Sequence, residues 1–309
     1  MAEAALMSQA PVIPDSVRAL MAEVGPKWGG NPAGNVKRMI EAFTPILKDA
    51  PKQGVNVTRN LAYGPHARQI LDIFTQPSFH NAPVVIFVHG GAFVDGEKDR
   101  TDEIYSNVLY YFARNGIVGI NTEFRLAPET KYPGGAQDVG QAVAWACENV
   151  AKYGGDPRNI FVMGHSAGAA HAGLYVYDKR LWPVGGAGLA GLIVVSGRVR
   201  ADNLSENPNA KKVEAYFGTD TQLMEDGSPV NHVSAASLPT FVAMAEFENP
   251  LLDMYCLELI YKLAQAKRRA PPFMWLAGHN HTSIIAHFNT AEDALGALLW
   301  GLCGVFSEV

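Results

Sequence analysis

Ile160-Phe161-Val162-Met163-Gly164-His165-Ser166-Ala167-Gly168 is the stretch that decides the fold. A short apolar run leads straight into Gly-x-Ser-x-Gly, and Ala169 to Tyr177 can continue as a helix. The run reads as a buried strand and the glycines as a sharp strand-to-helix turn. Such a turn lifts the serine hydroxyl clear of the backbone at the carboxyl edge of a sheet. Flanking glycines remove side chains that would collide there. The helix behind contributes positive potential from its N-terminus.

Outward from this segment, Val84–Val88, Ile117–Ile120, Leu192–Val195, Thr240–Ala245 and Phe273–Ala277 are further short, continuous apolar runs. They suit strands buried on both faces of a parallel sheet. Helical patterns lie between them, clearest at Val139, Ala142, Val143, Ala146 and Val150. The alternation predicts an α/β chain with a mostly parallel central sheet flanked by helices. Val55–Tyr63 and Gln69–Gln76, joined through Gly64-Pro65, read as an antiparallel pair ahead of it. Further upstream, residues 1–12 read as a loose tail. Val17, Leu20, Met21 and Val24, with Asp15 and Ser16 as caps, and then Val36, Met39, Ile40, Phe43 and Leu47 predict two short amphipathic helices. The division expected is a tail and helical arm or cap over 1–50 and a catalytic domain over 51–309.

With 309 residues, of which 48% are hydrophobic and 18% charged, the chain can bury a large core. A net charge of −5, with Lys267-Arg268-Arg269 the densest basic cluster, argues against nucleic acid as a partner. Three cysteines, Cys147, Cys256 and Cys303, with no CxxC, suggest neither a disulfide framework nor a zinc site. Cys147 and Cys256 read as small core hydrophobes. Met1–Gln9 lacks the pattern of a secretory leader, and no segment has the apolar length of a membrane span. The expectation is a cytoplasmic protein without a metal or cofactor.

A second Gly-rich element, His89-Gly90-Gly91-Ala92-Phe93, also follows an apolar strand. Its backbone can approach a substrate oxygen closely. Gly91 and Ala92 could offer two N–H donors, and Ala167, after the serine, a third.

These two elements, with Phe124-Arg125-Leu126-Ala127-Pro128-Glu129 and Gly154-Gly155-Asp156-Pro157-Arg158-Asn159-Ile160, resemble the esterase/lipase group of the α/β-hydrolase fold that includes the hormone-sensitive-lipase-like carboxylesterases. The likeness runs over roughly residues 55–300. His165, where that group usually has Asp, is more similar to the kynurenine formamidase and feruloyl-esterase-like branch. The resemblance implies the α/β-hydrolase fold, a serine nucleophile at Ser166 and the chain order Ser, acid, His.

A serine hydroxyl needs a base, and the base needs an orienting acceptor. The last strand runs into Gly278-His279-Asn280-His281-Thr282-Ser283, where the family pattern N-H-x-S points to His281, with His279 as the competitor. His165 is expected to pack behind the turn. His66, His80, His171, His232 and His287 read as structural or exposed. For the acid, Ala245-Glu246-Phe247-Glu248-Asn249-Pro250-Leu251-Leu252-Asp253 is similar to the family's A-E-x-D-P-L-x-D. Counting forward aligns Glu248 with the catalytic Asp; counting back from Pro250 aligns Asn249. Asn cannot carry the stabilising charge, so Glu248 is assigned. Asp253 is the alternative, with helix capping as its other explanation.

The expected activity is hydrolysis of small to medium carboxylic esters through an acyl-enzyme. An amide or formamide hydrolase with the same groups, or a non-catalytic ligand-binding homologue, are the other readings. The partner expected is a small-molecule ester or amide, and a homodimer suits the group. Selectivity is expected from the arm and from the loops 185–188 and 198–216; Met21, Trp28, Met39 and Phe43 of the arm read equally as an apolar pocket or as residues packed onto the core.

Overall fold

The computed structural model describes residues 10–305. The reading of Met1–Gln9 falls outside them, as does the side chain of Cys303. Eight strands form one sheet: β1 (Asn56–Ala62), β2 (Ile70–Thr75), β3 (Ala82–Val88), β4 (Val118–Thr122), β5 (Gly155–His165), β6 (Gly191–Val195), β7 (Thr240–Phe247) and β8 (Phe273–Asn280). Their order is β1-β2-β4-β3-β5-β6-β7-β8. β1 with β2 and β2 with β4 are antiparallel; every later pairing is parallel. The helices are α1 (Asp15–Val24), α2 (Pro32–Lys48), α3 (Ser106–Arg114), α4 (Gly134–Asn149), α5 (Ala167–Tyr177), α6 (Ala210–Phe217), α7 (Thr221–Asp226), α8 (Leu252–Lys267), α9 (Ser283–Ala286) and α10 (Ala294–Val305).

The continuous apolar strands feed two cores because successive side chains point to opposite faces. Val85 and Phe87 of β3 meet Phe161 and Met163 of β5 on one face, with α1, α2 and α3. Val84, Ile86 and Val88 meet Ile160 and Val162 on the other, with α4, α5 and α8. β4 and β6 are buried along their whole length, whereas the antiparallel edge strand β1 is largely exposed. The run Phe273–Ala277 departs from the expectation of burial on both faces: β8 is the other edge of the sheet, with no strand beyond it among the described residues, and Phe273 and Trp275 are each 52% exposed.

The arm is continuous with the first core. Val17, Met21, Val24, Met39, Phe43 and Leu47 are buried in the same cluster as Phe87. α2 starts at Pro32, four residues ahead of Val36, the first position of the expected pattern, with Asn31 accepting from the Gly34 N–H at 3.2 Å and Pro32 in the first turn. The caps expected for α1 are not made: Asp15 and Ser16 lie inside the helix, and Pro14 precedes it with no side-chain bond. Nor are residues 10–12 wholly loose, since the Pro11 carbonyl accepts from the Ala291 N–H at 2.9 Å beside the buried Ile13. Cys256 is a core residue, but Cys147 is only half-buried. Among the described residues, no helix is long and apolar enough to cross a membrane.

Candidate active site

Ser166 sits between β5 and α5 with φ 55° and ψ −122°, a conformation non-glycine residues avoid. Holding it costs about 1–3 kcal/mol. The surroundings supply that: the Ser166 N–H donates to the Val195 carbonyl (3.1 Å), and its own carbonyl accepts from Ala169 (3.1 Å) and Arg198 (2.9 Å). Gly168 is required by close approach, because a Cβ there would lie 2.2 Å from the Val88 carbonyl oxygen. α5 is buried throughout, so its N-terminus is fixed under the turn.

The second Gly-rich element is equally constrained. Gly91, Ala92 and Phe93 all have positive φ, at 148°, 50° and 73°. A Cβ on Gly91 would fall 1.6 Å from the Asp95 carbonyl oxygen. Phe93 anchors the loop, stacked on Tyr216 at 5.1 Å and edge-on to His171 and Phe217. His89 reaches the Gly90 carbonyl (2.7 Å) and Glu123 (2.8 Å) beneath it. Burial opposes ionisation of Glu123, but its bond to His89, the Lys98 N–H and nearby Arg68 outweigh that and hold its carboxyl below the usual range. Among the described residues, the N–H groups of Gly91 and Ala92 have no backbone acceptor, so both donors are available.

Glu248 follows β7 and His281 follows β8, the neighbouring strand. His281 Nδ1 lies 2.7 Å from Glu248 Oε2. Glu248 Oε1 accepts from Ser196 Oγ (2.5 Å) and the Ala245 N–H (2.8 Å). Both side chains of the pair are buried, and the His281 N–H donates to the Phe247 carbonyl at 2.9 Å. Ser166 and His281 line one cavity of about 230 Å³ with Gly91 and Ala92. No hydrogen bond joins the Ser166 hydroxyl to His281 among the described residues; in unliganded sites such bonds often form only once substrate is bound. Ala167 is buried at the base of the turn.

The alternatives lie elsewhere. His279 Nε2 faces Glu292 at 2.7 Å and its Nδ1 meets Ser283 Oγ at 3.1 Å, away from the cavity. Asp253 is exposed in the first turn of α8. It is not the helix cap expected of it: Leu251, at φ 75°, holds that position, and Asp253 accepts only from the Met254 N–H (2.9 Å). Asn249 borders the cavity, but its Oδ1 accepts from Trp28 Nε1 at 2.8 Å, pinning the arm to this loop, and among the described residues no hydrogen bond joins it to His281. His165 lines the cavity rather than lying wholly behind the turn. Its Nε2–H donates to the His281 carbonyl (3.0 Å), its ring is 4.8 Å from that of His281, and burial holds it well below the ordinary histidine range, hence neutral.

Of the two readings of the arm's large side chains, packing onto the core is the one the structure bears out, and only one of the two expected loops reaches the pocket. Met21, Trp28, Met39 and Phe43 are 4%, 1%, 0% and 0% exposed and belong to the core. The arm instead lines the cavity with Pro32, Ala33, Val36 and Ile40, the next positions around α2. Of the 185–188 loop, Gly188 lies against Val143 and Cys147 of α4 and none of the four residues lines the cavity; from 198–216 only Asn209 and Lys212 reach it. Ser196, which braces Glu248, escaped the sequence reading; its sole signal is a small polar residue ending an apolar strand, as in Val195-Ser196-Gly197. Among the described residues no three His, Cys, Asp or Glu side chains gather as a metal site.

Comparison with known proteins finds esterases among the similar chains. The BD-FAE family model matches residues 71–181. The chain is 29% identical to Esterase LipC of Mycobacterium tuberculosis over 72% of its own length and 59% of that protein's. It is 28% identical to mouse bile salt-activated lipase over 72% of its length, but over 36% of the lipase. The match thus spans less than two thirds of these curated relatives. Among solved structures, esterase B from Lactobacillus rhamnosis superposes with a TM-score of 0.74 at 16% identity, covering 94% of this chain and 97% of that one. The Pyrobaculum calidifontis esterase gives 0.68 at 18% identity, covering 96% and 99%. The chain has the α/β-hydrolase fold and resembles the esterases of that fold.

Proposed function

We propose that this α/β-hydrolase chain is a serine carboxylesterase working through a Ser166–His281–Glu248 triad. The observation that carries the reading is the buried 2.7 Å Glu248–His281 pair opening on the same cavity as a strained Ser166. Glu248 accepts from Nδ1–H and so leaves Nε2 of His281 as the base. Nε2 takes the Ser166 proton as Oγ attacks the ester carbonyl. The oxyanion is held by the N–H groups of Gly91, Ala92 and Ala167. The tetrahedral intermediate collapses, and His281 returns the proton to the departing alcohol oxygen. Water, deprotonated by His281, then attacks the acyl-enzyme and the carboxylic acid leaves. The names of the esterases it resembles support the same bond class.

The test is hydrolysis of p-nitrophenyl esters of increasing chain length by wild type and Ser166→Ala. Turnover lost with Ser166→Ala is the expected result; turnover retained by that variant removes Ser166 as nucleophile. A matched aryl formamide in the same assay measures the amide activity. No serine-dependent turnover on either would leave ligand binding as the function.

A further inference from the structure

The cavity over Ser166 is apolar on its sides and cationic at its mouth. Val36, Ile40, Ile104 and Ile285 form the apolar wall. Beyond them stand Arg100, from the loop between β3 and α3, and Lys212, from α6. Both are exposed, and among the described residues neither guanidinium nor ammonium has an ion-pair partner. Their neighbours differ: Lys98 is bound to Asp72 and Asp99, and Lys211 to Glu214. The remaining charged group of the described lining is Asp95, whose Oδ1 accepts from the Gly96 N–H at 2.9 Å. With His165 neutral, two cations face one carboxylate at the mouth, a net of +1 on a chain of net charge −5. A low-dielectric wall focuses such a field on whatever enters.

We propose that the ester this site takes carries a carboxylate, separated from the scissile bond by an apolar spacer and recognised by Arg100 and Lys212. The proposal rests on the hydrolase reading and adds the substrate class to it. A neutral ester uses only the apolar wall. A half-ester of a dicarboxylic acid, or an ester whose alcohol bears a carboxylate, uses the wall and also answers the two unpaired cations. Guanidinium and ammonium suit the two tasks differently: Arg100 can grip a carboxylate with two parallel N–H bonds, and Lys212 adds a point charge.

Two matched pairs of substrates test this with the full-length protein. On the acyl side, mono-p-nitrophenyl glutarate is compared with p-nitrophenyl butyrate. On the alcohol side, 4-butyryloxybenzoate is compared with phenyl butyrate. The anionic member of one pair is expected to have the higher kcat/KM, and the pair that shows it tells which side carries the charge. That ratio should fall roughly fivefold in Arg100→Gln or Lys212→Gln, more in the double variant, and reverse in Arg100→Glu. Lys211→Gln, which removes a paired cation off the cavity, should leave it unchanged. Raising salt from about 20 mM to about 500 mM should erode the preference as the Debye length shrinks. Neutral esters preferred in both pairs, or a ratio indifferent to Arg100, Lys212 and salt while Ser166→Ala still abolishes turnover, overturns the charge recognition alone. Turnover that survives Ser166→Ala overturns the hydrolase reading beneath it.

Discussion

Glu248→Gln separates the charge of the acid from its shape. The structure determines which way the new amide must face. Oε1 of Glu248 accepts from two donors, Ser196 Oγ and the Ala245 N–H, so that position must stay an oxygen. The NH2 group therefore takes the place of Oε2, 2.7 Å from His281 Nδ1. An amide donor there forces Nδ1 to accept, and the imidazole proton moves to Nε2. In that tautomer His281 cannot take the proton of Ser166, and no carboxylate remains to stabilise an imidazolium. The cost expected is on the order of ten-thousandfold in kcat, roughly 5.5 kcal/mol at about 1.36 kcal/mol per decade. Because each hydrogen bond has a replacement, the fold should be nearly indifferent, with Tm within about 2 °C of wild type. Asp253→Asn is the comparator, since Asp253 is exposed and bonds only to the Met254 N–H. Steady-state kcat on a p-nitrophenyl ester and a thermal melt give both readings. Glu248→Gln within tenfold of wild type, or Asp253→Asn falling as far, refutes the assignment.

Gly91→Ala should lower kcat on every ester and melt earlier, because its Cβ would sit 1.6 Å from the Asp95 carbonyl oxygen at φ 148°; unchanged kcat removes this loop from the oxyanion site. Trp28→Phe leaves the buried Asn249 Oδ1 without its donor and should cost about 1–3 kcal/mol by denaturant titration; a smaller loss means water replaces the bond. Stability should also fall between pH 7 and pH 5. Burial holds the bases His171 and His287 at about 3 and about 4, below their ordinary 6.5. Above about 6.5 neither the folded nor the unfolded chain protonates them. Below it the unfolded chain takes up protons the folded one refuses, and stability is lost until the folded values are reached. At pH 5 that is about 2 kcal/mol per histidine. His171→Asn should flatten the dependence of unfolding free energy on pH over this window; a profile as steep as wild type would show that His171 does not contribute.

What the sequence determined by itself is what is written locally. Unbroken apolar runs of strand length mark the strands themselves, and in β4 and β6 they are covered on both faces; the similar run of β8 is an exposed edge, because position in the sheet is set by its neighbours and not by its own residues. Gly164 and Gly168 around Ser166 mark a turn too tight for a Cβ, and that steric demand acts within five residues and the strand beside them. Tertiary structure decided what depends on distant pieces meeting. The partner of His281 hung on how far the chain runs past β7 before β8 passes it, and Asn249 made the count ambiguous; folding turns Asn249 to Trp28 and Glu248 to His281. Which residues of α2 face the cavity was a matter of helical phase. Met39 and Phe43 take the core, where burial of large side chains stabilises most, and leave Val36 and Ile40 to the pocket. Arg100 and Lys212, distant in sequence, become one cationic mouth because the β3–α3 loop and α6 both close over the carboxyl ends of the strands. No periodicity encodes such a meeting; it is fixed by how the layers pack.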